Sequence, residues 1–261
     1  VIMKKLILPL MVTALLAGCN ETTAVNNKDF SPEQKAQIEK IASQYIIEHP
    51  EVLVKASETL QKQQMQAQQQ SAKEAVIKYA DKLVKNDKTP YVGPKDAKVN
   101  VIEFFDYQCM FCSKIAPVVK SLEQANPDVK FIFKETPIFA SRWDASKYAA
   151  DMGNWIFAHD GSEAYAKYHN AVFATGKDEG KLTKDDINSI VTKQGIDISK
   201  FDANNTFEEN YQLFSELGFQ GTPALIVMPT NNVTAKNVHI INGYDPQGLQ
   251  KAITEVKNSV K

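Results

Sequence analysis

The stretch VIEFFDYQCMFCSK, residues 101–114, runs from apolar, β-branched and aromatic residues into two cysteines, Cys109 and Cys112. The first part reads as a strand, and the residues from Cys109 to about Ala125 read as a helix that contains Pro117. Three chemistries suit a C-x-x-C pair. A zinc site needs further ligands, but the only other cysteine is Cys19, and His49, His159, His169 and His239 lie far apart without H-x-x-x-H spacing. Ser113 follows Cys112, so the haem-attachment pattern C-x-x-C-H fails. A purely structural bridge between residues three apart closes a loop too small to stabilise much by chain entropy. The third chemistry is thiol–disulfide exchange. A strand that delivers Cys109 to a helix start places it where unpaired backbone N–H groups and the macrodipole favour a thiolate. A stabilised thiolate is both nucleophile and leaving group, and Cys112, one turn on, can resolve a mixed disulfide.

Outward from this stretch, the chain has 261 residues, 43% of them apolar, and a formal net charge of -1. That is enough for one or two domains with a core. The absence of a basic stripe argues against nucleic acid as a partner. The segment MKKLILPLMVTALLAGC, residues 3–19, starts with Lys4 and Lys5, continues with an apolar stretch from Leu6 to Ala17 and ends in small residues. The apolar stretch is too short to cross a bilayer and reads as a secretory signal. Leu16, Ala17, Gly18 and Cys19 resemble the bacterial lipobox. That resemblance implies a lipoprotein signal peptide over 1–18, lipidation at Cys19, and membrane attachment through a lipid in the bacterial cell envelope, facing the periplasm. Asn20 after the cysteine leans towards the outer membrane. With Cys19 lipidated, one cysteine pair remains for an oxidising compartment.

Residues 29–88 read as helix. Ser31 is a candidate N-cap, Pro32 occupies the first helical position and Gln34 closes a capping box. Ile38, Ile41, Tyr45 and Ile46 recur at helical spacing, and His49-Pro50 interrupts the helix. A second helix is expected from Glu51 to about Lys85, with QKQQMQAQQQ in its middle and little to bury there. The expected organisation is an N-terminal helical oligomerisation arm over 19–88 and a second domain over 89–261. DKTPYVGPKDAK, residues 87–98, reads as a linker or domain entry. Beyond it come the strands VNVIEFFDY, DVKFIFKETPI, TPALIVM and VHIINGY, and a helix from about Pro246 to Val260. Leu182, Thr183, Asp186 and Ile187 mark a further helix start by capping box and hydrophobic staple. Helical patterns fill most of 139–216, and the order as a whole suggests an α/β or α+β sandwich.

EFFDYQCMFC, the GTPA of residues 221–224 and the strand order together resemble the DsbA-type branch of the thioredoxin superfamily, over roughly residues 90–261. The resemblance implies an α/β thioredoxin fold with a helical insert at about 139–212. It implies Cys109 as the attacking thiol, Cys112 as the resolving one, Glu103 as a buried acid serving the inner cysteine, and Pro117 as a kink in the active-site helix. Thr222-Pro223 would be a cis-proline loop that holds an extended client peptide, with Phe111 at its border; Phe105 and Tyr107 either line the groove or, as strand aromatics more often do, belong to the core. The stretch YIIEHPEVLVKASETLQKQQ is similar to the arm of ScsC-like and related envelope lipoproteins, where N-terminal helices assemble dimers or trimers. Partners implied are exported proteins with cysteines and a membrane redox partner. Neither a dissociable cofactor nor a metal is implied. Met110-Phe111 stands where the strongest oxidases carry Pro-His, which leaves the helix terminus as the main expected stabiliser of the thiolate. It also implies a disulfide potential between about -120 and -270 mV. Oxidase and isomerase modes both fit, and a different reading is a surface lipoprotein using the fold as a binding or adhesive scaffold.

Overall fold

The computed structural model describes residues 30–203 and 207–260. The signal segment, Cys19 and the first residues of the arm lie outside them. By contact density the chain divides into two units, with the boundary between Thr59 and Leu60.

In the first unit, helix α1 (Pro32–Glu48) is capped as its sequence predicts. The Ser31 hydroxyl accepts the Gln34 N–H at 3.2 Å, and the Gln34 side chain accepts the Ser31 N–H at 2.9 Å. The helix stops at His49, the residue before Pro50, because a residue preceding proline avoids helical dihedrals. Ile38, Ile41 and Tyr45 share one face by their i, i+3, i+7 spacing and are all exposed. None of α1 is buried.

Helix α2 (Glu51–Lys78) does not reach residue 85 unbroken. Tyr79 adopts φ -103 and ψ 14, and a short α3 (Ala80–Val84) follows. The Leu83 N–H still reaches the Tyr79 carbonyl at 3.0 Å, so the interruption is a one-residue bend. Val76, Leu83 and Val84 are buried in the core of the second unit, which is why the division by contacts falls at 59/60 and not at 88/89.

Five strands form one sheet in the order β1-β3-β2-β4-β5. They are β1 (Tyr91–Val92), β2 (Val99–Phe105), β3 (Val129–Glu135), β4 (Ala224–Pro229) and β5 (His239–Asn242). Only β2 and β3 are parallel. They are joined through α4 (Met110–Ala125), as a parallel pair requires a crossover. The edge strand β1 lies in the segment whose turn formers read as a linker; two residues are too few to carry a strand pattern.

Alternation along β2 builds two cores. Val99, Val101 and Phe105 face a cluster with residues of α4, α5 (Asp144–Ala174), α6 (Lys184–Lys193) and α8 (Pro246–Ser259). Ile102 and Phe104 face the opposite cluster, with Val76, Leu83, Val84 and, from α7 (Phe207–Glu216), Leu213 and Phe214. The expected helical insert is thus α5 to α7, with a 3-10 turn at Ile198–Lys200. Within α5, Gly161 breaks the helical dihedrals at φ 81. Thr183 and Asp186 form the anticipated capping box at the start of α6. Among the described residues, no helix is long and apolar enough to cross a membrane.

Candidate active site

Strand β2 ends at Phe105 and the chain turns through Asp106, Tyr107 and Gln108 before α4 begins. Cys109 is the N-cap of α4, and the Ser113 N–H returns to its carbonyl at 2.9 Å. Both cysteines are free thiols. Cys112, on the first turn, has no exposed surface, while Cys109 retains 5%. The helix continues through Pro117, whose missing N–H does not end it.

The Thr222-Pro223 peptide bond is cis. It leads directly into β4, and the Pro223 carbonyl accepts the Gly243 N–H at 2.8 Å, which ties the turn to the end of β5. The Thr222 carbonyl accepts from the Cys109 thiol at 3.2 Å. Two segments 113 residues apart in sequence therefore meet at the sulfur.

The Cys109 thiol is pushed down to about 6 from its ordinary 9.0. The largest contribution is hydrogen bonding from the Cys112 thiol, followed among the favourable ones by the Thr222 side chain and the amides of Cys112 and Phe111, while burial opposes them. The amides of the helix terminus thus contribute to holding the thiolate, together with the thiol of Cys112. Burial pushes the Cys112 thiol well above its ordinary value, and the neighbouring Cys109 adds to this. One sulfur is prepared as a thiolate and the other is held as a thiol.

Glu103 sits on the central strand β2, paired in register with Phe133 and Leu225. Its side chain is 3% exposed, and its Oε2 is buried without a hydrogen-bond partner. Burial first, then the charges of Glu123 and Cys109, push its carboxyl up to about 8. Phe111 is 46% exposed beside Cys109, with the Lys114 ammonium 5.4 Å from its ring centre. Phe105 and Tyr107 do not border a groove. They are core residues packed against each other and against His169 and Phe173.

Sequence reasoning missed the residues that hold the turn. Asp106 is buried, and its carboxylate accepts from the Gln108 N–H at 2.8 Å, the Phe139 N–H at 2.9 Å and the Ser146 hydroxyl at 2.8 Å. Gln108, fully buried, donates from its carboxamide to the Leu182 carbonyl at 2.9 Å and accepts the Gly180 N–H at 2.8 Å. The residues on either side of Tyr107 thereby bolt the helical insert to the cysteine turn. Below them, Glu135 accepts from both the Tyr107 and Tyr165 hydroxyls, at 3.0 and 2.9 Å, and burial keeps its carboxyl well above the usual range. Among the described residues, no group of three or more His, Cys, Asp or Glu side chains is placed to hold a metal.

The family model described as Thioredoxin matches residues 85–239, more than half of the chain. The chain belongs to the thioredoxin family. The model of the N-terminal domain of the copper resistance protein ScsC matches residues 34–67 of this thioredoxin-family chain. BcfH of Salmonella enterica Typhimurium has a similar structure, with a TM-score of 0.76 and 39% identity, covering 86% of this chain and 96% of that one. The thiol-disulfide exchange protein alpha-DsbA2 of Wolbachia pipientis gives 0.61 at 26% identity, covering 73% of this chain and 98% of the other. A Na(+)/H(+) antiporter NhaA 1 of Salinispora arenicola is 23% identical over 109 residues, 42% of this chain. The chain spans 16% of the length of that curated relative.

A low Cys109 value has a direct consequence. At pH 7 a thiol titrating near 6 is about nine-tenths thiolate, against about one in a hundred for one titrating at 9. Alkylation of the reduced protein by iodoacetamide should therefore be half-maximal near pH 6 and confined to Cys109, because Cys112 is covered. A midpoint above about 8 would contradict the thiolate assignment. The sign for stability follows from linkage. The folded value lies below the unfolded one, so ionisation of Cys109 stabilises the dithiol form above the unfolded value, and this contribution is lost as pH falls through about 6.

Proposed function

We propose that this thioredoxin-family protein is a periplasm-facing thiol–disulfide oxidoreductase that forms or isomerises disulfides in exported proteins. The observation that carries the reading is the Cys109 sulfur, favoured as a thiolate at a helix N-cap and facing the Thr222 carbonyl, with the fully buried Cys112 behind it. In this reading, a client cysteine exchanges with Cys109. Cys112 resolves the mixed disulfide, Glu103 handles the proton of Cys112, and Thr222 offers its backbone to the client chain beside Pro223. Exposed Phe111 borders the client. The similarity to a thiol-disulfide exchange protein and the export-type N-terminus support this assignment. A membrane redox partner would reset the pair, and Cys19 would carry the lipid that holds the chain at the outer membrane.

Oxidase and isomerase modes separate in one assay. Scrambled ribonuclease incubated with the reduced protein regains activity if the chain isomerises. Rapid oxidation of reduced ribonuclease by the disulfide form, without recovery of the scrambled enzyme, would assign the oxidase mode. Failure of both would sink the redox reading and favour a binding scaffold.

The exposed Ile38, Ile41 and Tyr45 face of α1 supports a homo-oligomer, because a soluble chain seldom leaves such a stripe in water. Ile41→Glu combined with Tyr45→Glu in the full chain should lower the mass seen by light scattering to that of a monomer. An unchanged oligomer would remove this part of the proposal.

A further inference from the structure

The mechanism above leaves one question of proton transport. Cys112 has no exposed surface and Glu103 is 3% exposed, so neither can trade a proton with water directly. Glu103 faces the α4 side of the sheet, the side of Val101 and Phe105. Along α4, Cys112, Ala116, Val119 and Glu123 recur at i, i+4, i+7 and i+11, which places them on one stripe. The first three are buried, and Glu123 is only half-buried, so the stripe that starts at the inner thiol ends at a carboxyl in contact with solvent. Glu103 faces this stripe from β2 and is coupled to both of its ends, acting electrostatically on Cys112 and acted on by Glu123.

We propose that Glu123 is the outer station of a proton path that runs from solvent through Glu123 and Glu103 Oε2 to the sulfur of Cys112. The inference rests on the thiol–disulfide reading. When a client thiolate attacks Cys109 in the Cys109–Cys112 disulfide, a client–Cys109 bond forms and the Cys109–Cys112 bond breaks. Cys112 leaves with the electron pair as a thiolate and takes the proton of Glu103. Glu123, through a bridging water, restores that proton and is recharged from bulk solvent. A second client thiolate then attacks the client sulfur in the mixed disulfide and releases Cys109 as a thiolate. The client has lost two electrons and the protein has gained them.

The order of proton affinities suits inward delivery. Glu123 is raised to about 7 by burial, Glu103 to about 8, and Cys112 lies well above its ordinary 9.0. The other charges around the path are accounted for. Lys120 of α4 lowers Glu123. Lys167 of α5 is paired with Glu163 at 2.8 Å, and Lys257 of α8 with Asp128 at 2.7 Å.

The test uses the full oxidised chain and a reduced dithiol peptide, mixed rapidly, acid-quenched and read by mass at about pH 5.5 to 8.5. Glu123→Gln should lower the plateau rate of disulfide reduction about tenfold, while Glu123→His, which can still carry a proton, should stay within about threefold of wild type. The thermal midpoints of both variants show whether the fold is intact. Superposition of Glu123→Gln on wild type at every pH would overturn the path. So would equal slowing in Glu123→Gln and Glu123→His, or a profile shifted in pH at an unchanged plateau, which is charge tuning alone. If the wild-type disulfide does not exchange with the peptide at all, the failure belongs to the redox reading and not to Glu123.

Discussion

Cys109→Ser should reduce exchange with a client by at least about a thousandfold, to the uncatalysed background. A serine hydroxyl does not ionise near neutral pH and cannot form an exchangeable bond to sulfur, so the groups around position 109 would have no thiolate to stabilise. Cys112→Ser should behave differently. Cys109 is still able to attack, but nothing behind it resolves the adduct, and a covalent Cys109–client species should accumulate. Mass spectrometry of the two variants after mixing with an oxidised peptide checks both outcomes. A Cys109→Ser protein that still forms the adduct, through Cys112, would reverse the assignment of outer and inner sulfur. The burial difference between them argues against that reversal.

The largest effect expected away from the sulfurs is at Asp106. Asp106→Ala removes the acceptor for two backbone N–H groups and the Ser146 hydroxyl. An unsatisfied buried donor costs about 1–3 kcal/mol, so the loss should be roughly 3 kcal/mol or more. For a domain of this size that corresponds to a fall in melting temperature of about 10 °C, measurable by circular dichroism. Exchange should weaken as well, since the Cys109 N–H is bonded to the Asp106 carbonyl at 3.0 Å and the turn would lose its reference point. A melting temperature within about 2 °C of wild type would show that water replaces the carboxylate at little cost.

The parts of this fold that could be read from the sequence are those whose cause is local. The strand pattern of 99–105, the capping boxes at Ser31 and Thr183 and the stop before Pro50 all depend on residues within six positions of one another. The cysteine pair and Thr222-Pro223 were readable through family resemblance, and of the two placements open to Phe105 and Tyr107 the core is the one observed. Asp106 and Gln108 were in plain view in the opening stretch and carried no signal. Their partners lie 33 to 74 residues away in the insert, and nothing in a turn aspartate or glutamine announces such a partner. Glu123 reads as one more surface charge at the end of a helix until the strand bearing Glu103 is placed beneath it. Tyr79, where α2 bends, is flanked by good helix formers, so the sequence offers no breaker.

The grip of Gln108 on Gly180 also bears on how this molecule can diversify. Gly180 holds φ 89, and a β-carbon there would come 2.6 Å from the Trp143 Nε1. Its amide is already committed to Gln108. Although the segment lies in a surface loop, where insertions and substitutions usually collect, position 180 itself leaves no room for a side chain. In the proposed exchange reaction, room for new client contacts lies instead at Phe111 and at Tyr244, which follows the amide bonded to Pro223; both side chains are about half exposed.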